Sequence, residues 1–121
     1  MNRTTMAWLA CGLALGWGAR SFAVPRSQPL IAQFENADVR VWKTILAPHE
    51  GLGMHRHEHG RVVVALQGGT LALPQQKGPT RRLRLKTGHA YWLPADPANE
   101  LHGDLNESDK SMELMIIEMQ R

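Results

Sequence analysis

Cysteine is almost missing from this chain: Cys11 is the only one in 121 residues. One thiol cannot build a disulfide framework, nor a zinc site made of several thiolates. A strong charge of one sign is missing too, since the formal excess is only +3. No stretch is long enough to cross a bilayer comfortably. The apolar run Ala7–Ala19 holds 13 residues, and a span takes about 20. Internal repeats are absent, and no helical period survives beyond a turn or two. What is present is a 43% hydrophobic, 21% charged chain, of a size for one compact domain and too apolar for intrinsic disorder.

The first 23 residues read as a secretory signal peptide. Arg3 supplies the positive start, Ala7–Ala19 the apolar centre, and Ser21-Phe22-Ala23 the small-x-small cleavage pattern, with Pro25 soon after. The expectation is therefore an exported protein, periplasmic or secreted, whose domain is residues 24–121. A retained anchor is the alternative. Cleavage removes Arg3, Arg20 and the lone cysteine, leaving 12 basic against 11 acidic residues, a net +1. That balance offers no electrostatic case for nucleic acid, and no membrane span remains after cleavage.

Seven prolines and eight glycines cut residues 24–121 into short runs rich in β-branched and large apolar residues. The runs predict strands over Leu30–Phe34, Val39–Leu46, Gly53–His57, Val62–Gln67, Thr70–Leu73, Arg82–Lys86, Ala90–Leu93, Leu101–Leu105 and Met112–Met119. Many short strands at such spacing predict an all-β antiparallel sandwich or barrel. Gly68-Gly69 signals a tight turn. Arg81, Arg82, Arg84 and Lys86 lie along one alternating strand. Their simplest reading is a solvated outer face that guards an edge, with a patch for an acidic partner as the alternative. In Met112–Met119, Leu114 and Ile116 are apolar on one parity, Met115 and Ile117 on the other. A strand apolar on both faces is either covered twice or buried in a subunit interface, and a homodimer through this region is expected.

Histidine carries the chemistry. In Gly51-Leu-Gly-Met-His-Arg-His-Glu-His-Gly-Arg61, alternation along a strand turns His55, His57, His59 and Arg61 the same way. A His-x-His pair on a strand sets two Cα atoms roughly 6.5–7 Å apart, close enough to lean onto one ion. Neutral imidazoles suit zinc, iron, copper and nickel. A third ligand must come from elsewhere, and His102 falls on a later strand. His59 is a further candidate ligand, though a place at the rim of the pocket is the simpler reading. His49 and His89 stand beside turn residues and are expected to be exposed. Tyr91 and Trp92 most simply fill the barrel wall, with Trp92 the candidate for substrate contact.

Taken together the pattern resembles the cupin superfamily, small jelly-roll β-barrels that usually hold a metal in the mouth. His55 and His57 match the first motif's histidine pair and Gly68 its closing glycine. Gly88, Pro94, His102 and Asn106 match members of the second motif. The resemblance spans about Leu30 to Glu118. It implies one divalent transition metal (Fe, Mn, Ni, Zn or Cu) held by His55, His57 and His102. Three departures stand out. Arg61 occupies the position of the family's metal-binding glutamate, Asp96 that of a second-motif glycine, and seven residues rather than four separate Pro94 from His102.

A guanidinium has no lone pair to donate to a metal. Pointing inward, Arg61 opposes a nearby divalent cation by about 1–4 kcal/mol. Three outcomes follow. The site is all-histidine with Arg61 swung aside, or Arg61 clamps a substrate carboxylate beside the metal, or the pocket binds an anionic small molecule with no metal. The family includes three-histidine iron dioxygenases, and ligand count alone does not fix a reaction. The expected functions are a small metal-dependent oxygenase or isomerase acting on an anionic small molecule, or a non-catalytic barrel that captures a small molecule or a metal. Arg61→Glu is expected to raise metal affinity by restoring an acidic ligand.

Overall fold

The computed structural model describes residues 26–121. The candidate export signal, residues 1–23 with Cys11, lies outside the described residues. Among these are nine strands: β1 (Gln28–Glu35), β2 (Val39–Leu46), β3 (Gly51–His55), β4 (Arg61–Gln67), β5 (Gly69–Leu73), β6 (Arg81–Leu85), β7 (Ala90–Leu93), β8 (His102–Asn106) and β9 (Met112–Met119). No helix among the described residues is long and apolar enough to cross a membrane.

The strands form two antiparallel sheets, one in the order β1-β2-β9-β4-β7 and one in the order β3-β8-β5-β6. Each buries one face against the other, as an apolar sheet face must. Trp42, Leu46, Val63, Ala65, Leu114 and Ile116 come from the first sheet and meet Leu71, Leu73 and Leu85 from the second. Strand alternation decides which side chains take part. Leu46 and Met112 are almost wholly enclosed, while Lys43 and Glu113 pair on the outer face at 2.8 Å.

Two glycines of the matched motifs have backbone reasons to be glycine. A Cβ at Gly68 would run into the Leu85 carbonyl, and Gly88 holds φ at +84°, a left-handed conformation costly for other residues. Gly68 does not close a hairpin. It is a corner, because β4 and β5 belong to different sheets. Asn106 is fully buried as a polar knot: its Nδ2 donates to the carbonyls of Leu46 and Lys110, and its Oδ1 accepts from the Ser108 amide. It thereby ties β8 to the end of β2 and to the turn before β9.

The cationic strand β6 lies at the edge of its sheet. Arg82 is held by Glu107 at 2.9 and 3.0 Å, while Arg84 is exposed. At the opposite sheet's edge, β1 pairs with β2 and leaves Leu30 and Phe34 about half exposed.

Candidate metal centre

His55 ends β3 and sits opposite His102, the first residue of β8. The strand stops there, two residues short of the expected Gly53–His57. His57 therefore does not reach the site by strand alternation. Its backbone is seized by Asp96: the His57 amide donates to Asp96 Oδ2 at 2.7 Å, and the Asp96 amide donates back to the His57 carbonyl at 2.9 Å. Arg56 adds bonds to the carbonyls of Pro97 and Asp96. Part of the longer segment between Pro94 and His102 thus folds over residues 56–57 and holds them.

The result is a cluster of three imidazoles. Their ring centres lie 5.0 Å (His55–His57), 4.6 Å (His55–His102) and 5.7 Å (His57–His102) apart. One ligand atom from each lies within 4.8 Å of the other two. Each ring has a polar neighbour at Nδ1. His55 Nδ1 is 2.7 Å from the Gly53 carbonyl, His102 Nδ1 is 3.2 Å from Asp96, and His57 Nδ1 is 3.7 Å from Glu118. Metal-binding imidazoles are commonly oriented this way, with the far nitrogen left free for the ion. His102 Nε2 is buried with no hydrogen-bond partner among the described residues. A buried unpaired nitrogen is costly, and one aimed at two other imidazoles is what a metal ligand looks like without its ion. The donor set fits a divalent transition metal.

Electrostatics favour neutral rings at two of the three positions. Burial, then Arg61 and His55, push His57 down to about 4. Burial also lowers His102, against Asp104 and Asp96. His55 is raised instead, chiefly by Asp104, whose Oδ2 lies 3.1 Å from its Nε2.

Arg61 opens β4, points inward and is 5% exposed. Its Nη1 donates to the Pro94 carbonyl at 3.3 Å. Burial weakens its hold on the proton, and Asp96, Asp104 and Glu118 oppose that effect. It has not swung aside. It lines both a cavity of about 60 Å³ inside the barrel and one of about 350 Å³ beneath residues 94–100, beside Arg81 and His102.

The structure brings together His55, His57, His102 and Arg61, and leaves two candidates out. His59 lies in the turn between β3 and β4, outside the imidazole cluster, because the chain has already left the strand. Trp92 is 59% exposed and pairs with Val62, on the opposite face of the sheet from Arg61 and Val63. It covers Gly60 rather than the pocket, and strand parity is the reason. Tyr91, of the other parity, packs on the core. His49 and His89 are exposed, as expected. Composition and motif did not single out Asp104 or Glu118, both of which face the cluster.

A comparison with protein-family models finds no match. Among curated proteins, the chain is 41% identical over 71 residues to the "Beta-alanine degradation protein BauB" of Pseudomonas aeruginosa, covering 59% of this chain and 73% of that protein. Among solved structures it superposes on a cupin domain from Bordetella pertussis with a TM-score of 0.69 and 27% identity, covering 83% of this chain and 99% of that one. The chain belongs to the cupin superfamily. A double-stranded β-helix protein from Klebsiella pneumoniae shares the same fold at 17% identity and a TM-score of 0.57, over 84% of this chain and 85% of that one. Within this cupin, the three motif histidines converge as the family's pattern requires. Arg61 stands where the family places its acid.

Proposed function

We propose that this cupin is an exported, metal-dependent enzyme of the oxygenase or isomerase type, acting on a small organic anion. The observation that carries the reading is the convergence of His55, His57 and His102 around the unpartnered Nε2 of His102. A divalent transition metal held there would supply a Lewis acid or a redox centre. The chain's own residues do the rest. Arg61 offers a planar fork to a carboxylate, and Arg81 lines the same 350 Å³ cavity. That volume lies within the range of small-molecule sites. The 60 Å³ inner cavity, walled by Leu52, Val63, Leu71 and Leu93 and by His55, His57, Arg61 and Asp104, has room only for a small group. A small carboxylate is also the kind of compound that the Pseudomonas relative's name refers to. Export rests on the N-terminal pattern of residues 1–23.

A second reading has its own support. Arg61 is buried beside the histidines and borders both cavities, which suits a barrel that captures an anion without turnover.

Metal content decides between them. Protein purified without tag or chelator is expected to carry about one equivalent of iron, manganese, nickel, copper or zinc. His57→Ala is expected to weaken uptake at least tenfold while leaving the barrel folded. Wild-type protein that is metal-free and refuses added metal would end the enzyme reading in favour of anion capture. Unchanged uptake in His57→Ala would remove the site assignment.

A further inference from the structure

Asp104 lies two positions after His102 on β8, so strand alternation turns both side chains toward the barrel interior. Its carboxylate borders the inner cavity together with His55 and His57. Oδ2 is 3.1 Å from His55 Nε2, and Oδ1 is 4.0 Å from His102 Nε2. The two oxygens therefore straddle the nitrogens that point into the cluster. Among the described residues, His55 and His102 are its only ion-pair neighbours.

The other nearby carboxylates stand on the far side of the rings. Asp96 accepts from the His57 amide and faces His102 Nδ1. Glu118 faces His57 Nδ1. Asp104 is the acid on the Nε2 side. The contact with His55 also has the wrong polarity for a simple hydrogen bond in one tautomer. With Nδ1–H given to the Gly53 carbonyl at 2.7 Å, Nε2 presents a lone pair to a carboxylate oxygen. Two acceptors at that separation need a positive charge between them, either a second ring proton on His55 or a metal ion. Donor atoms about 2.0–2.2 Å from a common ion sit roughly 3–3.5 Å from each other; the 3.1 Å to His55 has that spacing, and the 4.0 Å to His102 is longer.

Building on the metal reading above, we infer that Asp104 is the fourth protein ligand, giving a three-histidine, one-aspartate centre. The acid absent from position 61 is supplied from β8 instead. The exchange also explains how a guanidinium is tolerated at position 61. Arg61 no longer competes for a ligand position, and the negative charge of Asp104 balances it.

Cobalt(II) alone is the probe, titrated into wild type, Asp104→Asn and His57→Ala and read by visible absorption. Asp104→Asn keeps the shape and removes the charge. It is expected to weaken cobalt binding at least tenfold and to shift the band in position and intensity. A band unchanged from wild type, with affinity within threefold, would overturn the assignment of Asp104. Loss of cobalt by His57→Ala in the same series would leave the three-histidine reading standing. Wild type that takes no cobalt would bring down both. If Asp104→Asn does not fold, a cobalt-soaked wild-type crystal decides. A carboxylate oxygen of Asp104 within about 2.0–2.2 Å of the ion supports the inference, and a water in that place overturns it.

Discussion

Arg61 shows how far burial changes the meaning of a substitution. From sequence, Arg61→Glu restores a family ligand and raises metal affinity. In the fold, the guanidinium is 5% exposed, and Asp96, Asp104 and Glu118 all act on it. The same change would add a fourth carboxylate to three and remove their cation. Taking one partner from a buried charge cluster costs about 3–5 kcal/mol. Arg61→Glu is therefore expected to lower the stability of the metal-free protein by about that amount, read by urea denaturation. An unchanged midpoint would mean that the three acids are balanced without Arg61. The motif histidines were legible because the spacing of two motifs names them. Asp104 was legible only in principle. His102-x-Asp104 has the alternation that puts both on one face, but the register of β3 against β8 had to be known before the carboxylate could be placed beside His55.

At the level of elements, all nine strands follow from punctuation and alternation, and every bound agrees within two residues. The difference that matters is the end of β3. No local signal stops a strand at His55. A bond made 39 residues away, from the His57 amide to Asp96, does so, and propensity carries no information about such tertiary pulls. Asp96 was legible as a departure from the family pattern and not as a clamp. The corner at Gly68 is the converse case, a place where one residue type is dictated by a neighbouring strand. Gly68→Ala is expected to cost about 1–3 kcal/mol because the new carbon meets the Leu85 backbone. Gly53→Ala, whose added carbon meets nothing within 4 Å, is the control. Equal urea midpoints for the two variants would show that the corner relaxes freely.

For the molecule as a whole, the outer face of the five-stranded sheet is unusually apolar. Val39, Val41, Met115 and Ile117 line a shallow groove there with Phe34 and Gln33, and Trp92 lies on the same side of the sheet, paired with Val62. We propose that the homodimer expected from the sequence closes on this surface. Ile117→Lys puts a charge in its middle, and sedimentation velocity is expected to show the dimer replaced by monomer with metal uptake retained. A wild-type monomer at micromolar concentration would dismiss the dimer. Asp96, finally, touches both halves of the centre through one carboxylate. It holds the backbone of His57 while facing the ring of His102, and it belongs to the segment that roofs the larger cavity. Any shift of residues 94–97 is therefore passed at once to the His57 backbone and to the side of the His102 ring, so the geometry of two of the three imidazoles rests on one carboxylate.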